Sequence, residues 1–282
     1  MIRKLAVLLA LLFLSVLAGE GLYLAKDGFS SRRIHSLDYQ VAENWDEEAD
    51  RALEQTFRYI GRGRQCFAFA SEDGKYVLKF PRTDIYKTPF WARALPVRSY
   101  RAQLEENHKK RERFILNSFR LSFDELKDQT ALLAVHLGQS ASKGKKLLLI
   151  DAAGSKHKLP LEKTSFVLQY KQPILMKSFS AALDKGERKE AEKILDALLA
   201  AVVERANKGI LNRDRSFLRN YGFDGTKAYQ IDIGSFFRSE DLDPSTAYHK
   251  SVRDSIEPVQ EWLADHSPEM LEYLNKQLKT IL

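Results

Sequence analysis

The sequence predicts an α+β protein that opens with a small antiparallel sheet and continues into a mainly helical part. Between Tyr59 and Tyr170 the apolar residues come in short runs parted by Gly, Ser and Lys, the pattern of strands and their turns. From Glu187 to Asn207 the pairs Ile194-Leu195, Leu198-Leu199 and Val202-Val203 recur four apart and mark one buried face of a long helix. Two further helical stretches follow, Ala247 to Asp265 and Pro268 to Leu282, with Ser267 placed to cap the second and Pro268 in its first turn. With 282 residues, 44% hydrophobic and 29% charged, the composition is globular and the length allows a two-lobed core.

The formal charge of +7 reads as a solvated basic surface, and no nucleic-acid partner is expected. A single cysteine, Cys66, excludes an internal disulfide framework. The six histidines are scattered, with no HxxxH or Cys/His cluster, and give no zinc site. The first 25 residues stand apart. Arg3 and Lys4 precede an almost unbroken apolar run, Leu5 to Ala18, that ends in the small pair Ala18-Gly19. This is the pattern of a secretory signal peptide, and extension through Ala25 makes it an N-terminal membrane anchor of about twenty residues. Membrane association through a single N-terminal span, or export through a cleaved signal, is therefore expected. Lys26, Arg32 and Arg33 nearly balance Arg3 and Lys4, so the positive-inside rule sets no orientation.

Residues 26–56 read as a linker and an N-terminal helix: 26–43 are polar, and Ala49, Leu53 and Phe57 within Asp46 to Tyr59 have helical spacing. Gly61-Arg62-Gly63 follows. Glycines let backbone amides approach an anion without an intervening side chain. The alternating Phe67 and Phe69 form the return strand of a hairpin, and a turn at Ser71 to Lys75 leads into the strand Tyr76 to Phe80. That strand carries Lys79 among apolar neighbours, where an unpaired ammonium is costly to bury. A helix is expected from Ser99 to Ser118, then strands at Leu132 to Leu137, Lys146 to Ala152 and Thr164 to Tyr170. Lys171-Gln172-Pro173 reads as a hinge.

The chemistry concentrates between Gly209 and Phe236, which holds Asp214, Asn220 and Asp232. Asp232 ends an apolar strand, Tyr229 to Ile233, and precedes Gly234; a hairpin turn at Asp224-Gly225 leads into it. Two carboxylates and a carboxamide are the hard oxygen donors that Mg²⁺ prefers.

Asn212-Arg213-Asp214, Asn220 and Ile231-Asp232-Ile233-Gly234, together with Gly61-Arg62-Gly63 and Val77-Leu78-Lys79-Phe80, resemble the protein-kinase-like superfamily of ATP-dependent phosphotransferases, in an atypical and minimal form. The resemblance covers roughly residues 57 to 236 and rests on about a dozen positions. It implies a two-lobed fold, with an antiparallel-sheet N-lobe over 57–171 and a reduced, mainly helical C-lobe over 172–282. It also implies ATP and Mg²⁺ as cofactors. Asp214 would be the catalytic base or orienter, and Asn220 and Asp232 the metal ligands. Lys79 would clamp the phosphates, with Gly61 and Gly63 in the loop that covers the nucleotide, and would pair with a helix glutamate, Glu112 or Glu105. Glu112 lies beside Phe114-Ile115-Leu116 and so reads as the inward one.

The chain departs from the pattern in three places. Cys66 replaces the third glycine, Asp214 and Asn220 are six residues apart in place of five, and Ser216 stands where a lysine is usual, leaving Arg215 or Arg219 to supply the charge. Only 48 residues follow Gly234, which points to a sugar, lipid or other small-molecule acceptor and away from a peptide. The expected function is transfer of the ATP γ-phosphoryl group to a hydroxyl. The alternative is a membrane-associated or exported pseudokinase that binds a partner without turnover. An exported ATP-dependent enzyme would meet little ATP, so the expected N-terminus and the expected chemistry pull apart.

Overall fold

The computed structural model describes residues 19–21, 23–34, 46–86, 98–138 and 144–282. The chain is mixed α+β and divides into two compact units, Met1–Lys87 with His136–Phe166, and Thr88–Val135 with Val167–Leu282. Seven strands belong to one sheet: β1 (Thr56–Arg62), β2 (Cys66–Ser71), β3 (Tyr76–Pro81), β4 (Leu132–His136), β5 (Lys146–Ile150), β6 (Lys156–Pro160) and β7 (Phe166–Tyr170).

Within the first unit the strand order is β3-β2-β1-β5-β6. β1 with β2, β2 with β3, and β5 with β6 are antiparallel, but β1 and β5 run parallel, with Phe57 opposite Leu149. The sheet is therefore mixed, not antiparallel as expected. Hairpins leave a local turn signal, whereas a parallel neighbour arrives by a crossover and leaves none. The edge strand β6 was also hidden, because Lys156, His157 and Lys158 read as loop; lysines are well tolerated at an edge. Ahead of the sheet, α1 (Glu47–Leu53) is capped by Asp46, whose carboxylate accepts the Ala49 N–H at 3.0 Å. It stops at Leu53, and Phe57 belongs to β1, where it is fully buried.

Residues 26–34 are not the polar linker that their composition suggests. Phe29 is buried, edge-on to Phe69 at 5.0 Å and to Phe67 and His157 at 5.3 Å. Asp27 accepts the Tyr59 hydroxyl at 2.6 Å and pairs with Arg62 at 3.3 Å. Among the described residues no helix is long and apolar enough to cross a membrane, which corrects the expected N-terminal span. The extension that would have brought the apolar run to spanning length leads directly into Lys26 and Asp27, both held in this unit. Residues 5–18, on which the signal-peptide reading rests, lie outside the described residues.

Lys26 reaches Asp151, the buried acid of this unit. One Asp151 oxygen accepts the N–H groups of Ala153 and Ser155 at 3.1 and 2.8 Å; the other meets His157 at 2.8 Å and Lys26 at 2.9 Å. Burial alone would raise its pKa from 3.8, but the bonds from His157, Lys26 and Ser155 outweigh that and hold it at about 2. Because the folded pKa is depressed, the stabilisation is present above the ordinary carboxylate range and is lost as pH falls toward 2. Asp151→Asn should lower the unfolding free energy by about 2 kcal/mol at pH 7, with the gap from the parent closing between about pH 4 and pH 2. Urea titrations across that range check it, and a gap that is constant with pH would refute it.

The second unit begins with α2 (Arg98–Leu126), longer than the expected Ser99 to Ser118. It continues with α3 (Leu175–Asp184), α4 (Arg188–Asn207), β8 (Leu211–Asn212), β9 (Tyr221–Phe223), β10 (Ala228–Gln230), β11 (Phe236–Phe237), α5 (Pro244–His266) and α6 (Pro268–Ile281). Ile194, Leu195, Leu198, Leu199 and Val202 of α4 form one core with Val252, Ile256, Val259 and Leu263 of α5 and with Leu274 of α6. Ser267 does not cap α6 through its side chain. It is the one residue between two helices, and its N–H is spent closing α5 on the Leu263 carbonyl at 2.8 Å.

Candidate active site

In the second unit the proposed reactive residues hang from a small backbone frame. α4 ends at Asn207, and Gly209, whose φ of +68° is the left-handed conformation that suits glycine, turns the chain toward β8. β8 pairs antiparallel with β11, Asn212 opposite Phe236, and the Arg213 N–H donates to the Ser235 carbonyl at 3.0 Å. Between them β9 and β10 form the expected hairpin. Its turn is set by Asp224, which accepts the N–H groups of Thr226 and Lys227 at 2.8 and 2.7 Å, and by Gly225 at φ +100°. Gly222 lies so close to Gln172 that a Cβ there would collide with that side chain.

The frame brings Asn220 beside Asp232. The Asn220 carbonyl accepts the N–H groups of Ile231 at 2.8 Å and Asp232 at 3.4 Å. The Asn220 side chain is buried and its Nδ2 has no hydrogen-bond partner among the described residues. Asp232 is exposed, and its carboxylate makes no hydrogen bond or ion pair among the described residues. Asp214 is half-buried: its N–H donates to Asn212 Oδ1 at 3.0 Å and its Oδ1 accepts the Ser216 N–H at 2.9 Å, so one carboxylate oxygen is used in shaping the loop. Among the described residues no three His, Cys, Asp or Glu side chains cluster as a metal site.

Of the two arginines available in place of the missing lysine, Arg215 turns to α5, where it pairs with Glu257 and donates to the Asp254 carbonyl at 3.4 Å. Arg219 is exposed. Arg213 stacks over Phe114 at 4.1 Å and Phe237 at 5.0 Å, a cation–π arrangement that holds it off the loop.

In the first unit, Gly61 and Lys79 both stand opposite Ala68, one from β1 and one from β3. Directly opposed residues share a face, so the lysine side chain rises from a rank whose other members are a glycine and an alanine. The β1 register shifts between Tyr59 and Gly61. Gly63 closes the hairpin by donating its N–H to the Cys66 carbonyl at 2.8 Å. Lys79 is half-buried. Of the two glutamates offered as its partner, Glu112 is half-buried and Glu105 exposed; both lie on α2, in the second unit.

Two residues that sequence reasoning missed hold the frame. Buried Ser118 on α2 donates to the Ile233 carbonyl at 2.5 Å and accepts the Phe236 N–H at 2.7 Å, clasping the turn that follows Asp232. A serine within a helix gives no such signal. Fully buried Arg205 donates to the Ile210 carbonyl at 3.3 Å and, through Nη2, to the hydroxyls of Ser251 at 3.3 Å and Ser255 at 2.6 Å. Here a signal exists, because Arg205 falls on the buried stripe of Leu198 and Val202.

No protein-family model matches the chain, and no curated protein matches it. Among solved structures it is similar to a crystal structure of WbdD, 19% identical with a TM-score of 0.34, over 78% of this chain and 45% of that one. A second structure, of WbdD as a bifunctional kinase-methyltransferase, is 19% identical with a TM-score of 0.32, over 87% and 49%. The chain spans less than half the length of those proteins. A likeness at that score carries no argument, and the element order, compatible with a kinase-like fold, stands on the chain's own residues.

The clasp at Ser118 predicts that Ser118→Ala, which strands a buried carbonyl and a buried N–H, costs about 2 kcal/mol of stability. Ser122→Ala, whose hydroxyl bonds only to the Ser118 carbonyl of its own helix, should cost under about 1 kcal/mol. Denaturant unfolding compares them, and equal losses would remove the clasp.

Proposed function

We propose that the chain is an ATP- and Mg²⁺-dependent phosphotransferase that moves the γ-phosphoryl group to a hydroxyl of a small, non-peptide acceptor such as a sugar or lipid. One observation carries the reading: Asn220 and Asp232, twelve residues apart in sequence, are joined through the Asn220 carbonyl, on the frame that also carries Asp214. The donor set fits the metal. Asn220 and Asp232 offer hard oxygens, and two protein ligands leave room for water and phosphate oxygens, as Mg²⁺ requires. Bound there, the ion would neutralise charge on the nucleotide phosphates.

Asp214 orients the acceptor hydroxyl and takes its proton through the oxygen not spent on Ser216. Lys79, across Ala68 from the side-chain-free Gly61, is the phosphate clamp, with Glu112 as its counter-charge and Gly61 and Gly63 in the covering loop. A non-peptide acceptor is supported by the short connection from β11 to α5, residues 238–243, which offers no long segment for an extended peptide. A second reading, a non-catalytic scaffold of the same shape, is favoured by the Gly63 N–H, already committed to Cys66 and so withdrawn from any phosphate.

Calorimetry with Mg²⁺-ATP tests the reading on the full chain. Metal-dependent binding should be present in the parent and weakened at least about tenfold in Lys79→Ala and Asp232→Ala. Asp214→Asn should keep nucleotide affinity and lose about 100-fold or more in turnover. No metal-dependent binding in a folded parent overturns the proposal; full turnover in Asp214→Asn removes the assignment of that residue.

A further inference from the structure

The loop between Asp214 and Asn220 has a second side. Phe217 turns into the core, 6.4 Å from Trp262, and Leu218 and Arg219 beyond it face outward. Leu218 is left 43% exposed. With α3 and the residue before it, these two enclose an open cavity of about 570 Å³. That is within the usual range for small-molecule sites, roughly 300–1,000 Å³.

Its chemistry is amphipathic. Ile174, Met176 and Leu218 make an apolar floor, and the rim carries Lys177, Arg219 and Asp184. None of these three charged side chains has an ion-pair partner among the described residues, so the rim holds two free cations against one carboxylate. A leucine and an arginine side by side on an exposed loop would be unremarked alone. Here both line one cavity, and the loop they belong to is the one that presents Asp214.

We propose that this cavity is the acceptor subsite, and that it takes a hydroxyl compound with an apolar chain and an anionic group. The proposal rests on the phosphotransferase reading above. The apolar chain lies on Ile174, Met176 and Leu218, the anion meets Lys177 and Arg219, and the hydroxyl is carried to Asp214, four residues before Leu218 on the same loop. In the transfer the acceptor oxygen bonds to the γ-phosphorus as the bond to the β–γ bridging oxygen breaks. The hydroxyl proton passes to the Asp214 carboxylate and ADP leaves.

Octyl phosphate, octyl glucoside and inorganic phosphate, each titrated calorimetrically into the full chain, separate the two halves of the cavity. Octyl phosphate should bind at one per chain, more tightly than either of the others. Lys177→Glu should weaken octyl phosphate about tenfold and leave octyl glucoside unchanged, whereas Leu218→Ser should weaken both. Both variants should bind Mg²⁺-ATP like the parent, which also shows that they fold. Octyl phosphate binding that is absent, or indifferent to both substitutions, in a chain that binds Mg²⁺-ATP overturns the subsite alone. A parent that does not bind Mg²⁺-ATP overturns the phosphotransferase reading, and the acceptor role falls with it.

Discussion

The second unit is built over a buried positive charge, Arg205, that has no carboxylate beside it among the described residues. Removing a guanidinium from water costs several kcal/mol, and Arg205 offsets this only with neutral oxygens, from Ile210, Ser251 and Ser255, and with the face of Phe236 at 5.7 Å. Those partners come from three elements. One is the turn entering β8, one is α5, and one is β11, while the arginine itself ends α4. The Ser251 hydroxyl also donates to the Ile210 carbonyl at 2.9 Å, so the same atoms are tied twice. A charge that can be satisfied only when α4, β8, β11 and α5 are in place makes their arrangement cooperative.

From that base the order propagates outward. β8 is paired to β11, β11 is clasped by Ser118 from α2, and the Asn220 carbonyl receives the chain on its way to Asp232. The groups left with spare capacity are those at the end of this sequence of ties. Among the described residues the Asp232 carboxylate makes no bond, and the Asp214 carboxylate is half used. In the first unit Asp151 is saturated by four donors and locks Lys26 and His157.

Much of this was legible in the sequence wherever the signal is local. The hairpin at Asp224-Gly225, the turn before Tyr76, the apolar stripe of α4 and the paired C-terminal helices follow from spacing and turn chemistry alone. α3 was legible too, through Leu175, Met176, Phe179 and Ala182, but it lay behind a proline and was passed over. What could not be read were the ties between distant residues. Ser118 and Ile233 are 115 positions apart, β1 finds β5 across an intervening hairpin and helix, and Phe29 enters the core from a stretch that is otherwise basic and polar. Composition predicts which residues stay in water on average, and a single aromatic anchor is enough to overrule it locally.

The loop from Asp214 to Asn220 takes its shape from its two ends. Both ends of the loop are fixed by backbone bonds, Arg213 to Ser235 at the start and Asn220 to Ile231 and Asp232 at the finish. With the ends pinned, the length between them can only leave the plane of the frame, and it does so by sending Phe217 inward and Leu218-Arg219 outward. The inward residue, packed against Trp262, gains roughly 1.5–3 kcal/mol of burial as a large apolar side chain, which fixes the middle of the loop. The outward pair then faces α3, and Leu218 and Arg219 wall the cavity on that side because the residue before them is anchored in the core.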